Sequence, residues 1–382
     1  MALTDQEVLE ALRPVLDPEL HMSIVDLDMV RAVRVDGGVV TVTVALTVAG
    51  CPMRTEITER VTAAVQPLPG VESVAVDLTV MTETELGAVR DKMRANQGNG
   101  AAGAAGQARL GHEEGKTNQF MAPGSRTRVL GISSGKGGVG KSSVSVNLAV
   151  ALAHAGYQVG ILDADVYGFS VPKMLGITGD PVVIDDMIIP PVAFGVGCIS
   201  IGFFVGDDQP VMWRGPMLHK ALEQFLVDVY WGDPDFLVID MPPGTGDVAL
   251  SMAQYLPRSE IYVVTTPQQA AQRVAQRTAY MAKKVNLPLR GVIENMSWFI
   301  GDDGHRYDLF GAGGGEALAE DLGVPLLGRI PLVPALREGG DIGLPITVTD
   351  PDGEVAKIFA ELAAAIVARG PGRVFNPELT IR

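Results

Sequence analysis

Hydrophobic and polar positions alternate most regularly at residues 40–46, where Val40, Val42, Val44 and Leu46 are interleaved with Thr41, Thr43 and Ala45. A period of two predicts a strand with one buried face. Asp36, Gly37 and Gly38 supply a turn from a preceding strand in "VRAVRV". Helices are predicted over Asp5–Leu12 and in "GCPMRTEITERVTAAVQ", the latter entered through Cys51 with Pro52 suited to its first position. A last strand in "VESVAVDLTV" completes a small α+β domain, residues 1–95. Residues 96–127 are rich in Gly, Ala and Gln without apolar periodicity, the pattern of a flexible linker.

From residue 128 the pattern changes. β-Branched runs at Arg128–Ser134, Tyr157–Leu162, Phe236–Asp240, Ile261–Thr266, Arg290–Glu294 and Leu326–Ile330 alternate with stretches of helical period. One such stretch, Lys141–Ala155, places Val144, Leu148 and Leu152 on one face and stops at Gly156. Strand and helix repeated in this way predict an α/β fold over residues 128–370, a mostly parallel sheet covered by helices on both faces, with residues 371–382 as a tail. Ligands of such sheets sit at the carboxyl ends of the strands.

Composition narrows the function classes. A length of 382 residues suits two domains, and a net charge of −15 argues against a broad nucleic-acid surface. The first residues show no basic-then-apolar signal, and no apolar run is long enough to span a bilayer, so a cytoplasmic protein without a membrane partner is expected. The two cysteines, Cys51 and Cys198, lie far apart, which provides neither a disulfide framework nor a self-contained zinc site.

The chemistry gathers at the predicted strand ends. "GKGGVGKS", Gly135–Ser142, fits a phosphate-binding loop between a strand and a helix. Its glycines let backbone N–H groups close on phosphates, Lys141 reaches the β and γ phosphates, and the Ser142 hydroxyl suits Mg²⁺. Asp240 ends the strand in "LVIDMPPGTGD", placed to hold the Mg²⁺ shell. In "ILDADVYG", Asp163 and Asp165 have the spacing at which an extended chain points both carboxylates the same way, one toward the metal shell and one toward an attacking water. A solvated strand end with a helix cap is the plain alternative.

The second lysine, Lys136, directly after the first glycine, resembles the deviant Walker A class that includes MinD, ParA, ArsA and the nitrogenase iron protein. Within that class, "GKGGVGKSS", "LDADVYGFSVPKMLG", "TTPQQ", "GVIENMS" and "IPLVPALREGGDIGLP" resemble the Mrp/ApbC family of ATP-dependent iron-sulfur cluster carriers over nearly all of residues 126–369. "DPEL" and "GCP" in the front domain resemble SufT-type assembly factors.

The resemblance implies a homodimeric ATPase that uses ATP and Mg²⁺ and hands [4Fe-4S] clusters to apoproteins. ATP would lie on Gly135, Lys136, Gly137, Gly138, Val139, Gly140, Lys141, Ser142 and Ser143, with Asn295 of "ENMS" recognising adenine. Lys136 would act on the other chain's nucleotide, Asp165 would orient water, and Asp163 would lie beside the Mg²⁺ shell. A MinD- or ParA-like positioning switch without a cluster is the rival on the same fold.

One departure stands out: the family's CxxC after "ENMS" is absent from "ENMSWFIGDDGHRYDLFG". Three explanations compete. The chain assists assembly without holding a cluster there; or Asp302, Asp303, His305 and Asp308 supply ligands, although such residues are usually a solvated turn; or Cys51, at a helix N-terminus, is the iron-sulfur ligand.

Overall fold

The computed structural model describes residues 3–20, 22–47, 53–82, 84–89, 92–93, 118–122, 124–166, 168–184, 187–204, 215–244 and 247–371. Within these the chain gathers into two units. The first takes Met1–Gln107 together with Pro181–Pro191 and Asp228–Gly232, and the second takes the rest.

In the first unit α1 (Asp5–Leu12) begins at a capping box: Thr4 and Glu7 satisfy each other's backbone N–H groups. β1 (Val30–Asp36) turns at Gly37 and Gly38, both at positive φ, into β2 (Val39–Leu46). As the alternation predicts, Val40, Val42 and Val44 are buried. α2 (Arg54–Val65) sets Ile57, Val61 and Val65 against that face, and β3 (Ser73–Val80) pairs parallel with β2. Cys51 and Pro52 lie outside the described residues. The core of this unit also contains Ile184, Met187, Ile189 and Tyr230, which come from sequence far beyond the front domain.

Asp17 and Glu19 of "DPEL" are both buried in this unit. Burial holds the Glu19 carboxyl up at about 7, and the neighbouring Asp17 charge acts in the same direction. Above an ordinary value of 4.5 the unfolded chain has lost this proton while the folded unit keeps it, so stability falls as pH rises from 4.5 to about 7. Glu19→Gln is therefore expected to leave the unfolding midpoint near pH 4 unchanged and to raise stability near pH 8 by on the order of 3 kcal/mol. Urea titrations at the two pH values check this, and an equal gain at both would place the cost in shape rather than charge.

The second unit is built on an eight-stranded sheet, ordered β15-β12-β11-β4-β10-β5-β9-β8. Its members, with the helices between them, are β4 (Arg128–Ser134), α3 (Lys141–His154), β5 (Val159–Asp163), α4 (Val171–Met174), β8 (Val192–Ala193), β9 (Val196–Ser200), α5 (Gly215–Val227), β10 (Phe236–Asp240), α6 (Asp247–Tyr255), β11 (Glu260–Thr265), α7 (Gln269–Lys284), β12 (Leu289–Glu294), α8 (Gly314–Leu322), β15 (Leu326–Arg329), α9 (Pro334–Ile342), α10 (Ile346–Thr349) and α11 (Glu354–Ala368). The hairpin of β13 (Phe299–Ile300) with β14 (Arg306–Tyr307) also lies in this unit, whereas the hairpin of β6 (Val182–Ile184) with β7 (Met187–Ile189) belongs to the first. All pairings in the large sheet are parallel except β8 with β9.

Both faces are covered. Leu130 and Ile132 of β4 share a core with α3 and α11, while a β-carbon on the intervening Gly131 would meet Met252 of α6. α11 spends its apolar face, Val355, Phe359, Leu362 and Ile366, on that core. Among the described residues no helix is long and apolar enough to cross a membrane. β4 lies between β11 and β10, so the winding reverses beside it and a crevice opens at its carboxyl end.

Candidate functional site

At that crevice the chain leaves β4 at Ser134 and enters α3 at Lys141. Gly138 and Gly140 both sit at positive φ, near +79° and +77°, a backbone that curls successive N–H groups toward one point. A β-carbon on Gly140 would lie 2.2 Å from Asn295 Nδ2, so the sequence needs glycine there for space as well as conformation. Residues 136–143 line a cavity of about 380 Å³, with Asp165, Ser170, Met174 and Pro243 at its sides.

The electrostatics centre on Lys141, which is only 6% exposed. Its Nζ donates to Asp240 Oδ2 at 2.6 Å and lies 3.7 Å from Asp165 Oδ2. Asp240, fully buried, also accepts from the Ser142 hydroxyl at 2.6 Å and, on its other oxygen, from the Ser145 hydroxyl at 2.6 Å. The ion pair is thus fixed by neighbours that satisfy the remaining lone pairs, which a buried charge requires. These residues fit a nucleotide with Mg²⁺. The glycine loop opens on the helix N-terminus, the Ser142 hydroxyl is already paired with the strand-end carboxylate, and Asn295 Oδ1 is a buried acceptor without a donor among the described residues.

Asp163 takes a different place from its neighbour. It accepts from the backbone N–H of Asp165, Ser170 and Val171 and from the Ser200 hydroxyl, so it ties the loop after β5 to the start of α4. Burial, and then the charge of Asp240, push its carboxyl up. Of the three predicted acids only Asp165 faces the cavity.

Lys136 turns away from this cluster. Its Nζ donates to Gln268 Oε1 at 3.1 Å, at the start of α7. Asn295 Nδ2 donates to the Val139 carbonyl at 2.9 Å, so the side chain that closes the far wall of the loop is held by the loop itself. Ser145 and Gln268 were not among the residues predicted from sequence. Ser145 follows Lys141 by one helical turn, a spacing that puts both on the face toward Asp240. Gln268 comes from the far side of β4 and only the fold brings it in.

The hairpin that stands where the resemblance expects a CxxC uses its polar groups on itself. Tyr307 donates to Asp303 at 2.6 Å, Arg306 pairs with Asp308 at 3.0 Å, and Arg306 stacks over Trp298. Tyr307 and the His305 amide hold the Asp303 carboxyl below its usual value. Among the described residues no group of three or more His, Cys, Asp or Glu side chains is arranged to hold a metal ion. Cys198 is completely buried in β9, and burial pushes its thiol well up.

Comparison with known proteins finds relatives of both parts of the chain. Residues 125–367 match the family described as NUBPL iron-transfer P-loop NTPase, and residues 5–78 match a family described as iron-sulfur cluster assembly protein. An iron-sulfur cluster carrier protein of Mycobacterium tuberculosis is 46% identical over 369 residues, 95% of this chain and 93% of that protein. One of the same name from Synechocystis sp. is 42% identical over 374 residues, 96% of this chain and 98% of its own length. Among solved structures, a nucleotide-binding protein from Archaeoglobus fulgidus in complex with ADP matches with a TM-score of 0.53 and 33% identity, covering 61% of this chain and 93% of that one.

Proposed function

The chain belongs to the NUBPL iron-transfer P-loop NTPase family, and from that premise we propose that it hydrolyses ATP as a pair of chains and carries iron-sulfur clusters to apoproteins. The observation that supports the paired arrangement is the division of labour between two lysines. Lys141 is fully engaged with Asp240 and Asp165 in its own site, while Lys136 leaves that cluster and rests on Gln268. A cation that lines the cavity but is not paired with its acids among the described residues is available to neutralise phosphate charge on the facing chain, as an arginine finger does.

ATP binds on Gly135–Ser143, with Asn295 Oδ1 as acceptor for the base. Ser142, with Asp240 behind it, holds Mg²⁺, which supplies charge neutralisation on the phosphates when bound. Asp165 orients the attacking water, and Asp163 keeps the loop that carries Asp165 at its distance from Lys141. The clusters are cargo. With Cys198 inert by burial, Cys51 is the remaining thiol of the chain, and it is the ligand we assign in the front unit. The relatives' name supports the carrier reading over a positioning switch. So does the C-terminal helix, whose apolar face is occupied by the core.

Anaerobic reconstitution with iron and sulfide counting tests this reading. Wild type is expected to take up both, and Cys51→Ala to lose most of the iron-sulfur absorption at unchanged ATP turnover. A wild type that takes up neither, with or without ATP, removes the carrier function.

A further inference from the structure

From Ile261 to Ile293 the chain contains five cations, Arg273, Arg277, Lys283, Lys284 and Arg290, and no carboxylate, in a protein whose net charge is −15. Two of the five are used inside the fold: Lys283 donates to the Leu322 carbonyl at 2.8 Å and Arg290 lies 3.4 Å from Glu260. Arg273, Arg277 and Lys284 are exposed and form no ion pair among the described residues. With Tyr280, 51% exposed, they stand at intervals of four, three and four residues, which is one face of a helix. The opposite face, Ala271, Ala275, Ala279 and Ala282, is buried.

We propose that this stripe on α7 is the docking face for an acidic protein segment, with carboxylates spaced one helical turn apart, on the protein that receives the cargo. This rests on the carrier reading given above. Lys284 complements the helix dipole at its end, but Arg273 and Arg277 sit mid-helix, where the dipole gives them nothing. As like charges four residues apart they oppose helix stability. The chain has more carboxylates than cations, yet among the described residues none pairs with these three, which leaves them open to an external anionic partner.

Charge and shape favour a protein over other polyanions. Three cations would displace about three counterions from a nucleic acid, too few for appreciable affinity, and the net negative charge repels a long phosphate chain. An anionic membrane calls for an apolar face beside the cations, and the apolar face of α7 is buried against the sheet. An acidic helix meets the stripe carboxylate for cation, with Tyr280 as an apolar centre.

The face stands directly behind the phosphate loop. A β-carbon on Gly135 would lie 2.2 Å from the Ala275 amide nitrogen, so the loop backbone packs on the buried side of the helix, across it from the cations. Gln268, which holds Lys136, immediately precedes the same helix. A partner seated on α7 therefore presses on the element that senses nucleotide.

The test uses the full-length protein and a labelled helix-forming peptide of about 20 residues with Glu at every fourth position, beside its Gln counterpart, followed by fluorescence anisotropy at low and physiological salt. Wild type is expected to bind the Glu peptide at least ~10-fold more tightly than the Gln peptide at low salt, with a loss on adding salt. Arg273→Glu/Arg277→Glu/Lys284→Glu abolishes that preference while ATP turnover stays unchanged. Arg273→Gln/Arg277→Gln gives an intermediate loss and serves if the reversed variant does not fold. Equal binding of both peptides, full binding by the variants, or tighter stripe-dependent binding of a DNA duplex or of phosphatidylglycerol vesicles overturns the proposal. Iron uptake is counted on the same samples. Peptide binding without iron uptake by wild type removes the carrier reading alone, and iron uptake without peptide binding removes the docking face alone.

Discussion

Replacing Lys136 with alanine is expected to lower ATP turnover by roughly 10³-fold, the scale set by a charge supplied in trans to a transferring phosphoryl group. Affinity for Mg-ATP should change by less than about threefold, because an interaction made chiefly in the transition state leaves ground-state binding alone. The expectation follows from Lys136 donating to Gln268 while Lys141 alone pairs with the acids of the site. Mixing chains decides whether the lysine works across the pair. In a mixed dimer of Lys136→Ala with Lys141→Met, the first chain keeps an intact phosphate loop and the second still offers Lys136. Each variant alone is expected to be inactive, and the mixture to recover a fraction of wild-type turnover. Unchanged turnover in Lys136→Ala, or no recovery on mixing, refutes the trans assignment.

Lys141→Met is expected to act on stability as well as binding. Asp240 is fully buried, and removing its cation leaves an uncompensated charge supported, among the described residues, by the hydroxyls of Ser142 and Ser145. Breaking a buried pair from one side costs about 3 kcal/mol or more, which urea unfolding of the nucleotide-free protein would register. Saturable binding of a fluorescent ATP analogue should disappear. Adding Asp240→Asn removes the stranded charge, so the double variant is expected to regain most of the stability and none of the binding. If Lys141→Met unfolds like wild type, the Lys141–Asp240 contact contributes nothing to the stability of the nucleotide-free protein.

Much of this architecture is legible in the sequence because the long elements carry their period on their surface. The Arg128–Ser134 and Phe236–Asp240 strands occur with the predicted bounds, and Asp5–Leu12 is the helix expected. The short pieces are not legible. β6, β7 and β8 have two or three residues, below the length at which a period shows, and β9 is buried on both faces, so "VGCIS" carries no alternation. The same limit appears in the site. Lys141, Ser142 and Asp240 sit at the ends of elements whose direction the pattern fixes. Asp163 and Asp165 were paired by strand alternation, yet β5 ends at Asp163. Beyond it the chain turns on an Asx hydrogen bond, and the two carboxylates part. Gln268 is invisible to local reading because it meets Lys136 only through the order of strands.

The core of the first unit has a consequence for how the chain can be dissected. Ile184, Met187, Ile189 and Tyr230 complete that core although they lie within residues 125–367, the part of the chain that matches the P-loop family. A protease that nicks the Gly/Ala-rich segment would not liberate a finished module, and a gene cut at that boundary would encode a fragment missing part of its own interior. An expressed 1–107 fragment would present the apolar surface these four residues cover, and would be prone to aggregate for want of residues encoded far downstream. The seam that composition marks in the sequence is therefore not the seam along which this protein comes apart.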